Sequence, residues 1–260
     1  MNILAIGAHP DDIELGCGGL LLKAAMHGHN VFMYILTHGA RSGNPKIRIQ
    51  EQIYSSKFIR AKALWIDNFE DTKLCLNDKL INHIEFMINK AKADIVYVPC
   101  LHDAHHDHRA IAESTLEAGR YASNILSYEM PVTKEFKPQV FYDISDVING
   151  KMELINIFLS QKNKLFIKSD AIRGLAQYRA LQSRLDITAV EAFEVLKISF
   201  EQDFQLLKKS CIPPIVKIDI SNNEDADVDN SILKEILVYS PAQDPRFDPG
   251  SQTLTIDKMK

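Results

Sequence analysis

Asn2-Ile3-Leu4-Ala5-Ile6-Gly7 is a short apolar run that ends on glycine, and His9-Pro10-Asp11-Asp12 follows almost at once. The run suits a buried strand and the tetrapeptide a polar turn at its carboxyl end. A Gly-rich start then leads into an apolar stretch at 17–27 that reads as a helix. The pattern repeats downstream. Residues 30–37 (NVFMYILT) read as a strand and 38–44 as a loop, with Pro45 in the first turn of a helix to about Ala63. Leu64 to Ile66 is a brief strand, 78–92 a helix, and Asp94 to Cys100 a buried strand followed by a helix through about Ser123. Residues 138–144 read as a strand, and 146–162 and 170–183 as helices. Such alternation predicts an α/β fold whose mostly parallel sheet carries helices on both faces.

In sheets of this kind ligands collect beyond the carboxyl ends of the strands. Four of the nine histidines fall between His102 and His108, directly after the strand at 94–100. Both polar clusters therefore belong at one edge of the sheet. His9 and Asp12 are three apart on a turn, and histidines of the second cluster can meet them across the strand ends. Two imidazoles and a carboxylate with an open fourth position make the ligand set of a hydrolytic zinc site. Asp11, beside Asp12, is the natural base for a metal-activated water. The competing readings are plainer: an Asp pair can cap the following helix, and loop histidines can simply be solvated. A receiver domain also places an Asp pair after its first strand, but no lysine stands at the required place after a fifth strand. Gly16, Gly18 and Gly19 lack the spacing of a dinucleotide cradle and instead suggest close helix–strand packing. His27, His29 and His83 read as surface residues. His102 and Asp103 read as outer or solvated neighbours of the cluster.

Composition narrows the field. The 260 residues are 46% apolar and 25% charged with a net charge of −4, so no basic excess points to nucleic acid. No apolar run reaches the ~20 residues of a membrane span. Residues 1–4 lack the basic start of a signal peptide, and the four cysteines form no Cys-x-x-Cys pair, so a cytoplasmic location is expected. Residues 201–260 hold a helical continuation, a Pro-Pro turn and short apolar stretches around the acidic run 221–230. That extension is expected to pack on the main domain or on a neighbouring subunit, with 221–230 exposed. The plainer alternative is a decorative surface extension.

Ala8-His9-Pro10-Asp11-Asp12, with His105-His106-Asp107-His108 downstream, resembles the PIG-L/LmbE family of zinc-dependent N-deacetylases. The family's first motif is Ala-His-Pro-Asp-Asp-Glu and its second His-Pro-Asp-His; here Ile13 replaces the glutamate and His106 the proline. The resemblance spans roughly residues 1–200, including Phe141 to Ser145 and Glu191-Ala192-Phe193, and implies a Rossmann-like, LmbE-like domain over that range. It implies that His9, Asp12 and His108 hold Zn2+ or another divalent ion, with Asp11 as general base. It also implies that His105, charged and oriented by the Asp107 carboxylate, stabilises the oxyanion. Arg48 matches an arginine at the mouth of the site, where it binds an anionic part of the substrate or orders a loop; a surface salt bridge is its plainer reading. Asp71 resembles a substrate-binding aspartate, with Glu70 where the family has proline. The implied activity is hydrolysis of an N-acetyl group on an amino sugar of the N-acetylglucosamine type, free, glycosidic or nucleotide-linked. Alternatives are a hydrolase of another small amide and a catalytically silent metal- or sugar-binding module. The implied partner is an N-acetylated sugar or sugar conjugate, and a homo-oligomer is compatible with the sequence.

Overall fold

The computed structural model describes residues 1–121 and 124–199. The expectations for residues 201–260 lie outside the described residues. The first 100 residues alternate strand and helix as β1 (Asn2–Gly7), α1 (Asp12–Met26), β2 (Asn30–Thr37), α2 (Pro45–Ile59), β3 (Ala63–Phe69), α3 (Asp78–Ala91) and β4 (Ile95–Pro99). They are followed by α4 (His106–Ala118), β5 (Asn124–Tyr128), β6 (Val140–Asp143), α5 (Ile148–Asn156), α6 (Ser169–Ser183) and β7 (Val190–Ile198). The sheet order is β3-β2-β1-β4-β5-β7-β6. The five strands from β3 to β5 are parallel, while β7 runs antiparallel to both β5 and β6.

Alternation within β1 shows how the two faces are filled. Ile3 and Ala5 enter one core with residues of α1, α5 and α6, while Leu4 and Ile6 enter the other with residues of α3 and α4. A strand buried on both sides needs apolar residues at every position, which is why β1 and β2 read as unbroken runs. After β1 the chain moves outward through β2 and β3, then returns to the other flank of β1 as β4. This reversal creates a crevice between the carboxyl ends of β1 and β4. The turn at 9–12 and the loop at 100–105 both open into it.

Two strands are additional to the sequence expectation. β5 (Asn124-Ile125-Leu126-Ser127-Tyr128) is separated by only five residues from the end of α4 at Ala118, and β7 carries glutamates at 191 and 194, three apart and both buried, so it shows no period-two alternation. α1 starts at Asp12 rather than at 17, and α2 stops at Ile59 because Arg60 takes left-handed backbone (φ 62°). His83 is buried rather than at the surface: its Nδ1 lies 2.9 Å from Asp67, which also accepts the Tyr34 hydroxyl. Close packing at the glycines is as expected. A Cβ on Gly16 would fall 2.0 Å from the ring of Tyr128, whose hydroxyl donates to the Ile6 carbonyl at 2.8 Å.

α1 breaks its helical geometry at Cys17 (φ −138°, ψ 18°). The carboxylate of Glu191 accepts the amides of Gly19 and Leu20 at 2.8 and 2.7 Å, and Lys151 Nζ donates to the Leu15 carbonyl at 2.9 Å. Lys151 and Glu191 are themselves paired at 2.6 Å, both nearly fully buried. One ion pair thus satisfies backbone groups on both sides of the break. Removing one partner leaves an uncompensated buried charge, which costs about 3–5 kcal/mol. Glu191→Leu is expected to lower the unfolding free energy in urea by that amount. The Lys151→Met/Glu191→Leu double change is expected to cost less than the sum of the single changes. A loss under about 1 kcal/mol for Glu191→Leu would show that the pair does not support the break.

Candidate metal centre

Asp11 stands where α1 begins, with φ 103°. Positive φ is rare outside glycine and costs about 1–3 kcal/mol, and here it belongs to a residue of the polar turn. Neither aspartate acts as a simple helix cap: Asp11 makes no side-chain capping bond, and Asp12 Oδ2 reaches back to accept the His9 amide at 2.8 Å. Asp12 Oδ2 also lies 3.4 Å from His9 Nδ1 and 3.1 Å from His108 Nε2. One ligand atom from each of His9, Asp12 and His108 falls within 4.8 Å of the others, and all three residues are buried.

The far sides of both imidazoles face further carboxylates. His9 Nε2 lies 3.0 Å from Asp71 and 3.2 Å from Asp107, and His108 Nδ1 lies 3.0 Å from Asp103. Both ring nitrogens of His108 are buried without an aligned hydrogen bond despite these short distances. A divalent ion at Nε2 would satisfy such an orphaned nitrogen, and two imidazoles with a carboxylate form a three-ligand site with an open position. The residues present therefore fit a divalent metal. A second group, His9 with His105 and Asp107, meets the same distance limit and shares His9 with the first.

The titration pattern reflects this crowding. Burial opposes charge on His9, but Asp12, Asp107 and Asp71 outweigh it and raise its pKa to about 11. His108 is raised to about 9, burial being outweighed by Asp12 and Asp103. Burial pushes Asp11 up to about 6 against the pull of Arg48, with neighbouring Asp12 adding to the rise. On His105, burial and the two other histidines lower the pKa.

Asp11 is held from α2. Arg48 Nη2 donates to Asp11 Oδ2 at 3.1 Å and to the Pro10 carbonyl, while its Nη1 donates to the Gly39 carbonyl at 3.0 Å. Arg48 is 2% exposed, so the surface salt bridge is excluded. Gly39 has φ 65°, and a Cβ there would fall 2.1 Å from Arg48 Nη1. Gln52 on the same helix accepts the Asp11 amide at 3.2 Å. Glu14, next to the position where the family motif has glutamate, is buried beneath Gln52 and Ser55, both of which donate to it.

The residues singled out in the sequence converge. His9, Asp11, Asp12, Arg48, Asp71, His105 and His108 line one cavity of about 300 Å³. Asp107 accepts the Thr72 and Leu74 amides at 2.9 and 3.0 Å and so fixes the loop after β3. Its relation to His105 differs from the expectation: the Asp107 backbone amide donates to His105 Nδ1 at 3.2 Å, while the carboxylate serves His9 and those two amides. With Nδ1 accepting that amide, Nε2 is the nitrogen left to donate, and burial with the two neighbouring histidines lowers the ring's pKa. Asp71 also accepts the Arg41 amide at 2.7 Å, which ties the loop after β2 to the site. The sequence reading missed Lys164, Met130 and Val132, which line the cavity from distant segments and carry no local signal. Asp103, read from the sequence as an outer or solvated neighbour of the cluster, is buried behind His108.

The PIG-L family model, described as GlcNAc-PI de-N-acetylase, matches residues 4–119. The uncharacterized deacetylase YaiS of Escherichia coli K12 is 39% identical over 154 residues, covering 56% of this chain and 83% of YaiS. The diacetylchitobiose deacetylase of Thermococcus kodakarensis is 28% identical over 186 residues, covering 62% and 70%. Among solved structures, the conserved protein TT1542 from Thermus thermophilus superposes with a TM-score of 0.69 at 22% identity, over 77% of this chain and 97% of that one. GalB, the 4-carboxy-2-hydroxymuconate hydratase of Pseudomonas putida KT2440, does so with a TM-score of 0.67 at 17% identity, over 78% and 99%. These two likenesses show the fold and leave the chemistry open. The family model spans both polar motifs of the crevice, and YaiS matches along most of its length, so this chain belongs to the PIG-L family of de-N-acetylases.

Proposed function

We propose that this chain is a metal-dependent N-deacetylase that hydrolyses the N-acetyl group of an amino sugar or sugar conjugate, with Zn2+ as its ion. The observation that carries the reading is the Asp11 carboxylate, held by Arg48 beside the His9, Asp12 and His108 group in one cavity. The diacetylchitobiose deacetylase relative supports an acetylated sugar as substrate class. A silent binding module would have no use for a buried carboxylate on strained backbone in the same cavity as such a ligand set.

A divalent ion held by His9, Asp12 and His108 would supply an acidified water and polarise the acyl carbonyl. Asp11 accepts the proton of the attacking water and returns it to the amine as the C–N bond breaks, leaving acetate and the free amine. Its pKa near 6 leaves it ionised at neutral pH yet basic enough to take the proton. Arg48 holds that carboxylate in place, which is the loop-ordering role among those its position allows. His105, whose Nδ1 accepts the Asp107 amide, presents Nε2–H to the developing oxyanion, an interaction worth about 2.7–4 kcal/mol. Asp71 and Asp107 orient His9 from behind, and the Arg41 and Lys164 side of the cavity receives the rest of the substrate.

Metal binding requires both imidazoles to be free of the proton at the coordinating nitrogen. With pKa values near 11 and 9, His9 and His108 are both protonated at pH 7 in the metal-free chain. Zinc uptake is therefore expected to release protons, and affinity to rise with pH from 6 to 9. Calorimetry in buffers of different ionisation enthalpy reads the release directly; an enthalpy that does not depend on buffer would contradict it. His9→Ala and His108→Ala are expected to lose the ion and keep the fold, as judged by metal analysis and circular dichroism.

Asp11→Asn is expected to keep metal and substrate affinity while turnover falls by about 10²–10⁴, because the amide cannot take up the proton. Arg48→Met is expected to lower kcat with little change in KM. Acetate release from N-acetylglucosamine and diacetylchitobiose by the zinc-loaded protein measures both. Turnover by Asp11→Asn near that of the unaltered chain would place the base elsewhere, and a raised KM alone for Arg48→Met would make it a substrate contact.

A further inference from the structure

We infer that Asp103 is the positioning residue for His108, fixing which ring nitrogen faces the metal and tying that choice to the placement of His105. The inference rests on the metal-site reading above and extends it to a residue outside both family motifs. Asp103 is 2% exposed, and its Oδ1 lies 3.0 Å from His108 Nδ1. The same oxygen accepts the His105 amide at 2.8 Å, and Oδ2 accepts the Thr133 hydroxyl at 2.8 Å. Thr133 Oγ1 in turn accepts the Met130 amide at 2.9 Å, so the support reaches a separate loop after β5.

A carboxylate at Nδ1 favours the proton there and leaves the Nε2 lone pair free for a cation, the usual outer arrangement of a metal-bound histidine. The two imidazoles differ in how they are backed. His9 Nε2 has two carboxylates, Asp71 at 3.0 Å and Asp107 at 3.2 Å. His108 Nδ1 has Asp103, with no second carboxylate within ion-pair distance among the described residues. Loss of one acid behind His9 leaves another in reach, whereas loss of Asp103 leaves His108 free to choose either tautomer. The His105 amide loses its acceptor at the same time. Asp103 therefore joins a metal ligand and the oxyanion histidine through one oxygen.

The test compares zinc affinity, by competition with a chromophoric chelator, in the full chain and in Asp103→Asn, Asp103→Ala, Thr133→Val and Asp71→Asn. Removal of such an outer carboxylate typically weakens metal binding about 10–100-fold. Asp103→Asn, which keeps the shape and an acceptor oxygen, is expected near the lower end of that range and Asp103→Ala near the upper. Thr133→Val is expected to give a smaller loss in the same direction. Asp71→Asn removes the same charge from the same site, so a smaller loss than for Asp103→Asn separates positioning from bulk electrostatics. Nitrogen shifts of the His108 ring in the zinc-loaded protein are expected to report a protonated Nδ1, mixed in Asp103→Ala. Equal losses for Asp71→Asn and Asp103→Asn, or unaltered affinity and tautomer in both Asp103 variants, would overturn the inference. Failure of the unaltered chain to bind zinc would overturn the metal-site reading itself, a result distinguishable from either.

Discussion

A single carboxylate oxygen joins the two halves of the crevice. Asp12 Oδ2 takes the amide of His9 from the turn after β1 and stands 3.1 Å from His108 Nε2 on the first turn of α4. An ionised oxygen this deeply buried is tolerated only where cations face it. In the metal-free chain protons on the imidazoles meet that need, which is why His9 and His108 hold theirs to such high pH. Asp71, Asp103 and Asp107 deepen the demand from behind. A divalent ion held in their midst would replace protons already required by the surrounding charge.

Much of this was legible in the sequence because the first half of the chain obeys simple rules. Runs such as NILAIG and NVFMYILT are apolar at every position since helices cover both faces, and the polar motifs fall directly after strands. The antiparallel margin was harder. In β7, Glu191 and Glu194 are three apart and both buried, serving the α1 break and the Lys137 amide, so its pattern is not that of a half-solvated strand. His83 misled for a similar reason: its partner Asp67 is distant in sequence, and nothing local shows that the pair is buried.

The site residues divide in the same way. His9, Asp11, Asp12, His105 and His108 come from two short motifs whose spacing carries the chemistry, and the crevice brings them together. Arg48 left several readings open because α2 does not follow the ordinary pattern of an amphipathic helix. Its inward residues include Arg48, Glu51, Gln52, Ser55 and Ser56, since that face looks onto the polar turn rather than onto a wholly apolar core. Periodicity of hydrophobic residues cannot reveal a helix whose buried face is polar. Burial and three hydrogen bonds from Arg48 then show what the motif match could not, namely that its guanidinium is already committed to Pro10, Asp11 and Gly39.

The hydratase GalB shares this fold at a TM-score of 0.67, so the crevice alone does not choose a reaction. What sets this crevice apart is how the carboxylates around it are divided. Asp12 is neutralised by imidazoles on its own side of the site, and Asp71, Asp103 and Asp107 are turned toward the backs of those rings or toward amides. Asp11 differs from all of them. Burial raises its proton affinity, Arg48 restrains the rise, and the positive φ of its backbone keeps it apart from the helix it precedes. It is thus the carboxylate whose proton affinity lies near neutrality within a group otherwise held ionised. Carboxyl groups pushed apart in this way mark a division between holding and proton transfer. In this chain burial sets Asp11 apart, and one arginine reaching in from α2 limits how far its proton affinity rises.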